Sequence, residues 1–328
     1  MQKLILDKPD FKYMEYMYEL LNLDLDDHDI SIKYDLKFAT PYVTLLIASY
    51  LNHHKYNVNF EIGEFGRCSE SYARNYNFFH FAEGSLDLNE RNTNYSDKYT
   101  PIMKSILSSY SRQSENIVEN IANKIAKVLS CEHKNIEKIF FYIVFELFRN
   151  IPEHSHCFEG WHASQCWMHD EYVEAEIAII DYGIGFKESL NFKEVLNVSN
   201  DIEAMEFALK PGITGGIFEK SHLREGEEEE YLNSGYGLYI VTELCKVFKG
   251  HFSIISKGAI ATKKGIKSLK DKLIFPGTAI KIRLQIPKDL TPEDFNEKLK
   301  IIISKGESIS TQIEGAISTA STKSKSVF

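Results

Sequence analysis

Glu146 and Asn150 stand four positions apart in KNIEKIFFYIVFELFRN, so on a helix their side chains share one face. The run between Ile139 and Val144 is apolar on every side, which puts such a helix inside the protein, where an unpaired carboxylate is costly. The pair is therefore expected to serve a satisfied structural network, a metal ion or a nucleotide. Three glycine-bearing motifs follow it. In DYGIGF a strand ends at Asp181, and Gly183 and Gly185 let the backbone turn tightly or approach a ligand. In NSGYGLYIV, Gly235 and Gly237 open a helix at whose start free N–H groups can meet a phosphate. In PGTAIKIRLQIP a strand opens with Gly277 and Thr278.

A second chemistry competes for the same region. His154, His156, Cys157, His162, Cys166 and His169 fall between residues 154 and 169, a composition that suits Zn²⁺. Their spacing is irregular, with no CxxC or HxxxH pair. ASQCWMH and VEAEIAIID also read as a hairpin, in which Cys166 would point away from Gln165 and Trp167.

The elements that must carry these residues can be read from periodicity. Two helices are expected over about 110–130 and 135–150, then the strand pair, and then a helix in LNVSNDIEAMEFALK stopped by Pro211. GLYIVTELCKVFKG is a helix closed by Gly250, HFSIISKGA and TAIKIRLQI are strands, and an amphipathic helix covers 291–304. Before them, DISIKYDLKFAT reads as one or two strands, Pro41 starts a helix in YVTLLIASYLNHH, and NVNFEIG alternates as a strand. SESYARNYNFFHFA is helical, with Ser69 as its cap. The predicted division is a small α/β domain over 1–90, a polar linker over 91–104, a larger domain over 105–288, and a C-terminal helix with a flexible tail over 289–328.

The ordered set of the Glu/Asn helix, DxGxG, GxGL and a late GT strand resembles the GHKL ATPase family, which includes gyrase B, heat-shock chaperones, histidine kinases, MutL and anti-sigma-factor serine kinases. The match covers about residues 105–288. The resemblance implies an α+β protein whose larger domain is an α/β sandwich, a mixed and mostly antiparallel sheet covered by helices. It implies ATP and Mg²⁺ as cofactors, with Glu146 as the general base and Asn150 as the Mg²⁺ ligand. Asp181 and Thr278 would meet the adenine. Gly183 and Gly185 would let the base lie close, and Gly235, Gly237 and Leu238 would form the phosphate end. The activity expected is ATP hydrolysis or serine/threonine phosphotransfer of the anti-sigma type; the alternative is a non-catalytic ATP-sensing module. Two features depart from the family pattern. Pro152 should end or kink the helix and displace His154 from the phosphate side. EGEEEE, with Glu225 and Glu227 to Glu230, would be repelled by a triphosphate, so this run is expected to face solvent or a basic partner; Lys210, Lys220 and Arg224 are the cations of that segment.

The order of elements in the first ninety residues is similar to STAS-like regulatory domains, which implies a protein partner bound through the N-terminal domain, a homodimer being a further arrangement. A regulatory switch in stress or defence signalling suits that pairing. The net charge of −9 argues against a general nucleic-acid binder. No apolar run is long enough to span a bilayer, and the first residues lack the pattern of a secretory leader. Five dispersed cysteines argue against a disulfide framework and for a cytoplasmic setting.

Overall fold

The computed structural model describes residues 1–84, 96–107, 112–192, 196–214, 234–321 and 325. The fold is mixed α/β, with one large antiparallel sheet and one small parallel sheet. The small sheet comprises β1 (Gln2–Leu6), β2 (Asp29–Tyr34) and β3 (Asn57–Ile62) in the order 1-2-3. Its crossovers are α1 (Tyr13–Leu21) and α2 (Pro41–His53); α3 (Gly66–Asn75) and α4 (Phe78–Ala82) follow. Ser69 lies inside α3 rather than capping it, and its buried hydroxyl meets Tyr34 and the Leu36 carbonyl.

The large sheet has seven strands in the order β4 (Tyr99–Ile106), β5 (Glu159–Met168), β6 (Tyr172–Asp181), β10 (Thr278–Pro287), β7 (His251–Ser256), β8 (Ala259–Thr262) and β9 (Gly265–Ser268). Every pairing in it is antiparallel, where a mixed sheet was expected. Residues from Tyr99 on, read as linker, form its edge strand. YTPIMKSI alternates poorly and carries Pro101 beside a register shift, and an edge position tolerates a proline that cannot donate to a ladder.

Helices cover one face of this sheet: α5 (Arg112–Leu129), α6 (Lys134–Asn150), α9 (Gly237–Val247) and α10 (Pro292–Ser310) share a core with Ile177, Ile179, Ile254 and Ile282. Two short helices, α7 (Gly185–Asn191) and α8 (Asp201–Ala208), lie at its end. The opposite face is covered by the N-terminal unit. PYVTLLIASYL is apolar around its whole circumference, and every residue from Pro41 to Leu51 is buried. The helix achieves this by lying between the two sheets: Leu4, Leu6, Ile30 and Ile32 of the small sheet and Trp161, Ala178, Ile180 and Ile255 of the large one belong to one core cluster with it.

Charge is buried at the same interface. The Glu176 carboxylate, fully buried on β6, accepts from the Tyr42 N–H in the first turn of α2 at 3.1 Å and lies 3.3 Å from the Lys281 ammonium on β10. The carboxylate thus meets both a cation and the positive end of a helix. Cys131, after α5, and Cys166, on β5, form a disulfide, contrary to the expectation drawn from cysteine spacing. The C-terminal stretch also differs from expectation: residues 311–321 are docked. Ile317 donates its N–H to the Gly212 carbonyl at 2.8 Å, and the Tyr236 hydroxyl meets Ser310 Oγ at 2.8 Å. No described helix is long and apolar enough to cross a membrane.

Candidate functional site

A cleft of about 820 Å³, counted with its open mouth, lies where α6, α9, α7 and the end of the β6–β10 pair meet. Asn150, Asp181, Gly185, Gly235, Gly237, Leu238 and Thr278 all line it, so residues from four separate motifs converge on one space. Its apolar walls include Leu147, Ile179, Phe186, Leu190, Ile213 and Ile280; Leu147, Phe186 and Ile280 fall within the motif stretches, but none of the six was singled out as a site residue. Their sequence signal is only the apolar alternation that defines the strands and helices carrying them.

One end of the cleft is built by β6 and β10. Thr278 is the register partner of Asp181, which brings the aspartate and the first residue of the GT strand side by side. A Cβ on Gly277 would lie 1.9 Å from the Asp181 carbonyl oxygen, so no larger residue fits before Thr278 without parting the strands. Gly183 donates its N–H to Asp181 Oδ1 at 2.9 Å, and Lys257, in the β7–β8 turn, donates to the Gly183 carbonyl at 2.9 Å. Gly185 takes a positive φ of 79° and leads into α7, the conformation for which glycine is the least strained residue. Burial pushes the Asp181 carboxyl up to about 6, against the lowering effects of the Gly183 N–H, the Lys257 charge and Thr278. Lys257 escaped the sequence reading because SKGA looks like an ordinary turn between strands.

Pro152 explains the geometry beside Asn150. Residue 152 would normally donate to the Phe148 carbonyl, and proline has no N–H to give. The Ile151 N–H takes that carbonyl instead, α6 ends at Asn150, and the chain makes one wide π-helical turn over Ile151–Ser155. This turn is held by a buried ion pair between Arg149 and Glu153 and by Ser155 Oγ, which donates to the Ile151 carbonyl at 2.8 Å. The widened turn keeps His154 on the cleft wall, so the expected displacement of His154 away from it does not occur. The turn also receives the DYGIG loop: Ile184 donates its N–H to the Ser155 carbonyl at 2.9 Å.

The other end of the cleft is the start of α9. Gly235 has a φ of 69°, its carbonyl accepts from the Gly212 N–H at 3.1 Å, and Gly237 begins the helix, whose first turn has N–H groups without intrahelical acceptors. Glu146 is 4% exposed. Its carboxylate lies under this helix start: a Cβ on Gly237 would come within 2.2 Å of Oε2. The described cleft wall runs through Leu147 and Asn150, its neighbours on α6, with Glu146 one layer behind Gly237.

The histidines and cysteines considered for zinc are dispersed. Cys166 is bonded to Cys131, the His162 ring packs edge-on against Phe148 inside the protein, and the His169 ring stacks on Tyr172 at the far end of the hairpin. Among the described residues no group of three or more His, Cys, Asp or Glu side chains could hold a metal ion. Lys210 is turned onto the Phe207 ring, 4.4 Å from its centroid. Lys220, Arg224 and the acidic run from Glu225 to Glu230 lie outside the described residues.

Compared with known proteins, the chain matches no family model, and a search of the curated proteins finds no match.

Proposed function

We propose that the chain binds ATP with Mg²⁺ in this cleft and belongs in kind with the GHKL ATPases, as a switch whose nucleotide-binding half is coupled to a regulatory N-terminal half. One observation carries the reading: Asn150, Asp181, Gly185, Gly237 and Thr278, spread over more than a hundred residues of sequence, line the same cleft. The fit to a nucleotide is chemical as well. The walls are apolar, as a base and ribose need, and the polar groups are few. Asp181 accepts a donor at the floor, Thr278 offers a hydroxyl beside it, and the start of α9 offers N–H groups to phosphates. Gly183 lets the DYGIG turn pack closely on Ser155, and Gly235 lets the approach to α9 pack closely on Ile213. Asn150 supplies the one amide oxygen that a magnesium ion with retained waters needs, and the ion would offset phosphate charge. Glu146 is the only acidic side chain of α6 close to the phosphate end, and it serves as the base. Hydrolysis and transfer to a serine or threonine of a protein partner use the same residues.

A second reading, an ATP-sensing module without turnover, is favoured by the burial of Glu146 behind Gly237, which removes the carboxylate from the cleft wall. The N-terminal unit, with its parallel sheet, is the surface for a protein partner, and self-association into a homodimer is the other use of it. A cytoplasmic setting would supply both ATP and Mg²⁺, but the Cys131–Cys166 disulfide removes the cysteine argument for it. The direct test is thermal unfolding with ATP, ADP and GTP, each with and without Mg²⁺, followed by a phosphate-release assay. Stabilisation by adenine nucleotides alone is expected, and equal or absent shifts with all three rule the reading out. Steady phosphate release selects the enzyme, and binding without release selects the sensor.

A further inference from the structure

Within DYGIG the Tyr182 side chain lies on the sheet face away from the cleft. Along β6 the side chains alternate: Ile177, Ile179 and Asp181 belong to the cleft face, while Ala178, Ile180 and then Tyr182 pack with the N-terminal unit. There the Tyr182 hydroxyl donates to Ser49 Oγ at 2.9 Å, and its ring stacks on that of His53 with centroids 3.9 Å apart and planes 6° from parallel. Ser49 and His53 are one turn apart on α2, so both contacts come from one face of one helix. The other flank of the tyrosine ring is Phe275, two residues before Gly277 of the GT strand.

The same helix is anchored at its other end by the Tyr42 N–H on Glu176. From Glu176 to Tyr182 is about 20 Å of strand, and from Tyr42 to His53 about 17 Å of helix, so α2 lies along β6 and is fastened to it at both ends. Burial pushes the His53 imidazole down to about 4, so at neutral pH it is the uncharged ring that stacks.

We infer that Tyr182, Ser49 and His53 form a positioning relay through which the N-terminal unit sets the conformation of the Asp181–Gly185 turn. The relay is a property of the unliganded protein; its consequence for nucleotide affinity rests on the ATP-site reading. Mechanically, the turn is fastened to the cleft side by Gly183 on Asp181, Ile184 on Ser155 and Lys257 on Gly183, and, among the described residues, to the N-terminal side by Tyr182. A partner that shifts α2 along the sheet would therefore pull on the residue next to the adenine-binding aspartate. None of the three residues touches the cleft, so they are positioning residues.

The test is native-state hydrogen exchange of the Gly183–Phe186 amides in the full-length protein, with ADP affinity measured on the same samples. Tyr182→Phe keeps the stack and loses the hydrogen bond, and should raise exchange of these amides about five-fold. Ser49→Ala strands the tyrosine hydroxyl in a buried site and should raise it at least as much. The double variant should match or fall below Ser49→Ala, because the two changes remove one shared bond. Tyr182→Leu, which also loses the stack, should exceed all of these, and amides of α10 should not change in any variant. ADP affinity should fall in step with exchange. Unchanged exchange at 183–186, effects that multiply in the double variant, or equal changes in α10 would overturn the relay. If exchange responds as expected but the wild-type protein binds no ADP, the relay stands and the nucleotide reading alone fails.

Discussion

Replacing Asp181 by asparagine should stabilise the protein while weakening its ligand. The carboxylate is 6% exposed and its pKa is raised from 3.8 to about 6, with burial as the leading cause. The sign follows from linkage. The folded state holds the Asp181 proton more tightly than the unfolded chain, so ionisation penalises the fold. The penalty is fully present above pH 6 and is relieved as the pH falls toward 3.8. A shift of about two units corresponds to about 3 kcal/mol, of which about 2.5 kcal/mol lies between pH 4 and pH 8. Asparagine retains the oxygen that accepts from the Gly183 N–H and cannot ionise. Urea denaturation of wild type and Asp181→Asn at pH 4.5, 6 and 8 should therefore give a stability difference that grows with pH in favour of the variant. Nucleotide affinity should move the other way, because the amide presents N–H groups where the adenine amino group needs an acceptor. For the wild type, affinity should decline as the pH drops through about 6. A stability difference independent of pH would refute the burial argument, and unchanged nucleotide affinity in Asp181→Asn would refute the assignment of the cleft.

Other substitutions probe the remaining parts. Glu146→Gln should retain nucleotide binding and lower phosphate release by about 10²–10⁴-fold if Glu146 is the base; equal turnover in a steady-state assay excludes that role. Gly277→Ala forces a Cβ into the Asp181 carbonyl and against Tyr182 Cα, so the β6–β10 ends must part. A loss of about 1–3 kcal/mol or more in urea is expected, together with weaker ligand binding, and a wild-type midpoint would contradict the contact. Glu176→Ala leaves Lys281, 8% exposed, without its buried counter-charge and should cost about 3–5 kcal/mol. Glu176→Gln, which keeps an acceptor for the Tyr42 N–H, should cost less.

Much of the secondary structure was legible because its signals are local. Pro41 at the start of α2, the all-round apolar stretch that follows it, and the end of β6 at Asp181 are set by backbone preference and side-chain period within a few residues. MQKLIL and YMEYMYELL were not read as β1 and α1, because each is short and unpunctuated. The short strands β8 and β9 are likewise only two turns of chain around TKKG. Pro152 illustrates the limit of local reasoning: the missing N–H is certain from sequence, but whether the chain kinks, stops or widens depends on what accepts the orphaned Phe148 carbonyl. Here the Ile151 N–H does, and the widened turn keeps His154 on the cleft wall.

The sequence by itself determined the polar and glycine positions that could make a site, since a Glu/Asn pair in an apolar helix and glycines at the ends of strands and helices stand out from the local pattern. Only the tertiary structure decided that these positions share a cleft, that Thr278 stands beside Asp181, that Glu146 lies beneath Gly237, and that Cys166 joins Cys131. It also decided that Tyr182 points away from the cleft into the N-terminal unit. The reason is physical. Strand register and the choice of face are fixed by which distant apolar surfaces bury each other, and that pairing is encoded in no segment alone.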